Sequence, residues 1–194
     1  MPSPPGSTEL LVDLARALAR LGVAWYVFGA QAALVWGRPR LTTDVDVTVR
    51  LGSLDGGEFV RELQAREFDV RIVATPEFVR QTRVLPLVHR PSGLAVDVVL
   101  AGPGLEDEFL ARAVTVTIGG EPIPFISPED LVVTKILAGR PKDLEDVRGV
   151  LSERGDPIEV DRVRRTLEML EEALGQSDLL PLFDGEVARA RRRQ

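Results

Sequence analysis

Asp44 and Asp46 stand two residues apart in LTTDVDVTVR, among valines at 45, 47 and 49. Alternate residues of an extended strand share a face, which puts both acids and Thr48 on one side and the valines on the other. The two α-carbons are then about 7 Å apart. Carboxylates this close repel, and a cation between them relieves the repulsion. A hard divalent ion such as Mg²⁺ takes oxygen ligands, uses one or two carboxylates, and leaves its other positions to water and phosphate. Asp-x-Asp pairs also decorate solvated strands, so the pair by itself fixes no function.

Asp97 interrupts the otherwise apolar run LAVDVVLAG. A lone acid in such a run needs a partner. Arg71, Arg83 or Arg90 can supply one. Alternatively its strand lies beside that of Asp44 and Asp46 and adds a third carboxylate. Three acids can hold two ions, one orienting a triphosphate and its leaving pyrophosphate, the other activating an attacking hydroxyl. Gly29 falls where the apolar run VAWYVF meets QAALVWG. The N–H groups of a helix start attract phosphate, and glycine lets it approach closely. An ordinary strand-to-helix turn explains the same glycine, but acids on the following strand favour phosphate.

The elements that must position these residues are legible in the periodicity. Leu10, Leu11, Leu14, Leu18 and Leu21 mark one helical face, stopped by Gly22. Residues 23–28, 41–50 and 69–74 read as strands, with a short helix at 31–37 and another in EFVRELQAREF. Thr75-Pro76 starts a helix. RVLPLVH and LAVDVVLAG flank RPSG as a hairpin, GLEDEFLARA is helical, and VTVTIGGEPIPF is a second hairpin turning at Gly119-Gly120. SPEDLVVTKILAG opens with a Ser cap, Pro at the first turn and Asp130 completing a capping box. From there the signals are all helical. The expected organisation is a tail over 1–7, an α/β domain over 8–126, and a helical C-terminal part over 127–194 packed on it, with EPIPFISP as the seam.

Composition narrows the chemistry. The chain has 194 residues, a net charge of -6, no cysteine and a single histidine, His89. A cysteine zinc site, a thiol nucleophile and a disulfide framework are excluded. The acidic balance does not advertise nucleic-acid binding. Arg189, Arg191, Arg192 and Arg193 read as a solvated cluster. His89, beside the RPSG turn, is expected at the surface. No G-x-x-x-x-G-K-[ST] or G-x-S-x-G occurs, which sets aside P-loop chemistry and hydrolase triads. MPSPPGS lacks the apolar core of a signal peptide, no run has the length of a membrane span, and the cytoplasm is the expected compartment.

G-A-x-A-A-x-x-x-x-G-x-x-R-x-T-x-D-x-D resembles the signature of the nucleotidyltransferase superfamily related to DNA polymerase beta, over about Val23 to Leu151. There a G-G or G-S pair precedes h-D-x-D, and a third Asp follows on a later strand. The resemblance implies an α/β (α+β) fold with a mixed sheet and a C-terminal helical part. It assigns Gly29 and Ala30 to the phosphate turn, and Asp44, Asp46 and Asp97 to catalysis and metal binding, with Mg²⁺, two ions, as cofactor. Ala30 departs from the pattern by lacking a hydroxyl or a glycine's freedom.

Within the superfamily the chain looks most like AbiEii-type toxins, through Gly37, Arg40, Thr42, Lys135, and Lys142-Asp143 with Asp146. That likeness places Arg40, Thr42, Lys135, Asp143 and Asp146 at the nucleotide. Other readings stand beside it: Arg40 pairing with Asp44 or Asp97, Lys135 laying its stem along the core edge, and Asp143 with Asp146 on a solvated helix face. The implied reaction moves a nucleoside monophosphate from a nucleoside triphosphate to an acceptor hydroxyl, releasing pyrophosphate. The acceptor of a toxin-type enzyme is tRNA or protein, and a cognate antitoxin is an expected partner. The alternatives are an antibiotic (aminoglycoside-type) nucleotidyltransferase, with a small-molecule acceptor, and an inactive binding module on the same fold.

Overall fold

A computed structural model of the chain describes residues 6–38, 42, 44–71, 75–153 and 158–192. Arg40 lies outside the described residues, as do residues 1–5 of the expected tail; Ser7 already opens the first helix and is buried.

The elements run α1 (Ser7–Leu21), β1 (Ala24–Phe28), α2 (Gly29–Trp36), β2 (Asp44–Arg50), α3 (Gly56–Gln64), β3 (Phe68–Val70), α4 (Pro76–Thr82), β4 (Val84–His89), β5 (Ala95–Leu100), α5 (Leu105–Ala111), β6 (Val114–Ile118), β7 (Glu121–Phe125), α6 (Pro128–Ala138), α7 (Pro141–Glu153), α8 (Val160–Leu174) and α9 (Leu179–Arg191). The strands form one seven-stranded sheet in the order β3-β4-β5-β2-β1-β7-β6. β2 with β5 and β1 with β7 are parallel, and the other pairings are antiparallel. The expected mixed-sheet α/β class is the observed one.

Two compact units divide the chain. The first holds the sheet with α1, α3, α4, α5 and the start of α2; the second holds the rest of α2 and everything from Ser127 on. In the first unit, Val45, Val47 and Val49 of β2 and Val96 and Val98 of β5 are fully buried on one face. Leu10, Leu14 and Leu18 of α1 and Phe59 and Leu63 of α3 are as deeply buried. The β-branched run of β2 suits a central strand, since branching at Cβ restricts χ1 and packs well on a pleated surface. Gly119 and Gly120 take φ of 59° and 86°, the pair of left-handed residues a type I′ hairpin needs.

His89 corrects the surface position expected for it: its side chain is fully buried. Register pairs it with Phe68, which turns the ring onto the core face. There Nδ1 lies 2.8 Å from Ser92 Oγ and Nε2 lies 3.2 Å from Asp13 Oδ2 of α1. These partners satisfy a buried polar ring and tie the hairpin turn to α1.

In the second unit, Leu131, Val132 and Ile136 of α6, Val147 and Val150 of α7, Val163 and Leu167 of α8 and Phe183 of α9 form the core. Ser127 caps α6 by accepting from the Asp130 N–H at 3.1 Å. A methyl on Gly37 would stand 2.9 Å from the Val150 N, and one on Gly149 3.1 Å from the Arg38 N. Glycine at both places lets the segment after α2 lie against the α7 backbone.

Candidate active site

The sheet register builds the site. Asp46 pairs with Phe28 on one side and with Asp97 on the other, and Asp97 pairs with Pro86. Arg71, just past β3, donates its N–H to the Pro86 carbonyl at 3.0 Å. One row therefore crosses the sheet as Phe28, Asp46, Asp97, Pro86, Arg71. Ladder partners share a face, so Asp46 and Asp97 project from the side opposite the valine core, on strands about 4.8 Å apart. Asp44 opens β2 on that same side, opposite Ala95. Asp44 is exposed, and Asp46 and Asp97 are half-buried. The structure brings the three expected acids onto one face.

Asp97 also has the arginine partner that its apolar surroundings call for. The Arg71 guanidinium forms an ion pair with its Oδ1, reaching across Pro86. Of the other two candidates, Arg90 binds Glu67 at 2.8 Å and Asp69 at 2.7 Å, and Arg83 donates to the Leu100 carbonyl at 3.0 Å. Thr42 donates its hydroxyl to Asp44 Oδ1 at 2.6 Å, so the threonine aims a carboxylate.

Gly29 begins α2 with φ of 64°, in the left-handed region. A methyl group there would fall on the Asp46 carboxylate, with Oδ2 its nearest neighbour. The absent side chain is what lets that carboxylate lie against the start of α2. Ala30 follows, buried and without a hydroxyl, and offers only its backbone.

The residues fit a hard divalent ion. The donors are carboxylate oxygens on the face opposite the valines, Asp44 exposed and Asp46 and Asp97 half-buried, and the space a Cβ would fill at Gly29 is taken by one of them. Among the described residues no three acid or imidazole groups close into a ready-made cage. Mg²⁺ uses one or two carboxylates and keeps other positions for water and phosphate.

Lys135, Asp143 and Asp146 are brought together in the helical unit. Lys135 Nζ lies 2.8 Å from Asp143 Oδ1 and 2.8 Å from Asp146 Oδ2. All three side chains are buried, and Arg140 Nε adds a second cation on Asp143. Burial pushes the Asp143 carboxyl up, but hydrogen bonds from Arg140 and Lys135 outweigh it and hold the group below the usual carboxylate range. The lysine expected at a triphosphate has its charge directed at two carboxylates of α7.

Solved structures share the fold. An antigenic nucleotidyltransferase-like protein from Paracoccidioides brasiliensis is 18% identical with a TM-score of 0.56, over 94% of this chain and 94% of that one. The antibiotic-resistance factor ANT(2'')-Ia is 16% identical with a TM-score of 0.60, over 89% of this chain and 97% of its own. The lincomycin-bound lincosamide antibiotic adenylyltransferase LnuA is 14% identical with a TM-score of 0.54, over 76% and 98%. No curated protein matches the sequence. No helix among the described residues is long and apolar enough to cross a membrane. Residues 19–173 match the family described as nucleotidyltransferase of unknown function (DUF6036). With most of its length covered by that match and its fold shared with nucleotidyltransferases, the chain belongs to this nucleotidyltransferase family and is a transferase of phosphorus-containing groups.

Proposed function

We propose that the chain is a Mg²⁺-dependent enzyme that moves a nucleoside monophosphate from a nucleoside triphosphate to an acceptor hydroxyl. The observation that carries this reading is the ladder pairing of Asp46 with Asp97 on the face opposite the valines, against the Gly29 turn. Asp44, Asp46 and Asp97 would hold Mg²⁺, two ions when fully loaded. Bound there, the ions supply charge screening for the triphosphate and a lowered pKa for the acceptor hydroxyl.

The chain's own residues do the rest. The first N–H groups of α2, at Gly29 and Ala30, face the triphosphate oxygens. Thr42 fixes the direction of Asp44. Asp97 takes the proton of the acceptor hydroxyl as its oxygen bonds to the α-phosphorus. The bond from that phosphorus to the bridging oxygen breaks, and pyrophosphate leaves with the electron pair. Lys135, Asp143 and Asp146 are assigned to bracing α6 on α7, a role their buried ion contacts support.

Two acceptor classes follow from different evidence. The toxin-like spacing through Gly37, Arg40, Thr42, Lys135, and Lys142-Asp143 with Asp146 supports a tRNA end or a protein hydroxyl, with an antitoxin as partner. The antibiotic-resistance factor and the lincosamide antibiotic adenylyltransferase of the same fold, together with the net charge of -6, support a small cationic acceptor. Incubation with each α-labelled triphosphate, Mg²⁺, and total RNA, protein extract or an antibiotic panel separates them by where the label goes. Asp46→Ala is expected to abolish label transfer to whichever acceptor is found; transfer at the wild-type rate would end this reading.

A further inference from the structure

β2 carries acids at one end and an arginine at the other. It is seven residues long, so Arg50 lies about 20 Å along the strand from Asp44. There, at the carboxyl ends of β2 and β5, is a cavity of about 520 Å³. Its walls include Val79 and Leu100 and the arginines 50, 80 and 83, with Asp107 as the one acid among the described residues that line it. In a chain of net charge -6 this is a local reversal of sign. Asp107 is taken by Arg50. Among the described residues Arg80 reaches only Glu77, at 3.9 Å between exposed side chains. Arg83 has no carboxylate partner among the described residues.

Arg83 is nonetheless held in place. Its backbone closes α4 at φ of 58°, a left-handed conformation that costs a side-chain-bearing residue energy. Its Nε donates to the Leu100 carbonyl at 3.0 Å, and Leu100 in turn donates its N–H to the Arg83 carbonyl at 2.8 Å. A methyl on Gly102 would stand 2.9 Å from Arg83 Nη1, so the glycine leaves room for the guanidinium. Arg50 Nη2 donates to the Gly102 carbonyl at 3.4 Å. Two guanidinium groups thus flank one glycine, Arg50 paired with Asp107 and Arg83 held by carbonyl oxygen alone among the described residues.

We infer that this cavity binds a phosphate-bearing small molecule at a site distinct from the acid row. Three guanidinium groups line the cavity against Asp107, with Glu77 beside Arg80 outside the lining, which leaves the cavity positive, and the planar fork of arginine fits phosphate oxygens in pairs. Val79 and Leu100 offer an apolar rest for the body of the ligand, and the volume falls within the usual range for small-molecule pockets.

Isothermal calorimetry and thermal shift in EDTA, with inorganic phosphate, pyrophosphate and AMP as separate probes, test the site without any metal on the acids. Saturable binding of at least one probe, weakened by salt, is expected. Arg83→Gly should lower the affinity tenfold or more while keeping the melting temperature, because glycine adopts this φ readily. Should that variant fail to fold, Gly102→Ala displaces the same guanidinium, and a loss of several-fold is the expected result. Asp46→Asn should bind the probe as the wild type does. No binding of any probe at millimolar concentration, undiminished binding in Arg83→Gly or the folded Gly102→Ala, or loss in Asp46→Asn would each overturn the inference.

Discussion

The Asp46 carboxylate occupies the place where a side chain on Gly29 would begin. The turn and the acid are therefore one feature: the glycine's left-handed φ starts α2, and its missing Cβ seats the carboxylate beneath the helix start. Gly22 offers a matched comparison, since it has the same φ of 64° and a methyl group there would meet nothing within 4 Å. Gly22→Ala should cost only backbone strain, about 1 kcal/mol. Gly29→Ala adds displacement of Asp46 and should cost about 1–3 kcal/mol more, with loss of nucleotide transfer. Urea melts of the two variants and their transfer rates check this; equal behaviour would show that the contact with Asp46 is unimportant.

Arg71 places a positive charge on Asp97 Oδ1, and a divalent ion on that carboxylate meets its repulsion. Arg71→Ala should tighten Mg²⁺ or Mn²⁺ binding in the absence of nucleotide by about tenfold, or about 1.4 kcal/mol. Calorimetry with the metal alone reads this directly. Unchanged affinity in a folded variant would place the ion away from Asp97.

The fold is largely readable because each level of the sequence agrees with the next. The Val-Asp alternation of β2 sets which side faces the core, and a hairpin and a parallel partner then need only register to bring Asp97 beside Asp46. Register itself is not readable, so the sequence leaves the neighbouring strand and the arginine as rival partners of Asp97, and the structure contains both. Arg71 stands out no more than Arg83 or Arg90, because its reach across Pro86 depends on the registers of two strand pairings, β3 with β4 and β4 with β5. His89 misleads for a related reason: its position beside a turn suggests solvent, while pairing with Phe68 turns it inward. Spacing singles out Lys135 and Asp143, yet nothing in the spacing tells that burial closes their charges on one another.

Lys135 distinguishes bracing from phosphate binding. Lys135→Met leaves the Asp143 and Asp146 carboxylates buried without the cation that bridges them, while Arg140 stays on Asp143. Removing one partner of a buried ion pair costs about 3–5 kcal/mol, so the melting midpoint of the variant should fall sharply. A grip on the triphosphate predicts instead an unchanged midpoint and a raised KM for the nucleotide.

Acid should weaken the helical unit through two carboxylates. Burial pushes Glu186 up, but hydrogen bonds from Arg148 and Arg189 hold it below its ordinary value, as Arg140 and Lys135 do for Asp143. A carboxyl whose folded pKa is depressed binds fewer protons folded than unfolded. Its stabilisation is complete above the unfolded value, about 3.9 for Asp and 4.3 for Glu, and is lost as pH falls through the lower folded value. The urea midpoint should therefore hold from pH 7 to about 5 and decline below it. Asp143→Asn and Glu186→Gln remove the titrating groups, so each should be less stable at pH 7 and show a shallower decline. A decline as steep as that of the wild type in the double variant would assign the acid sensitivity to other carboxylates.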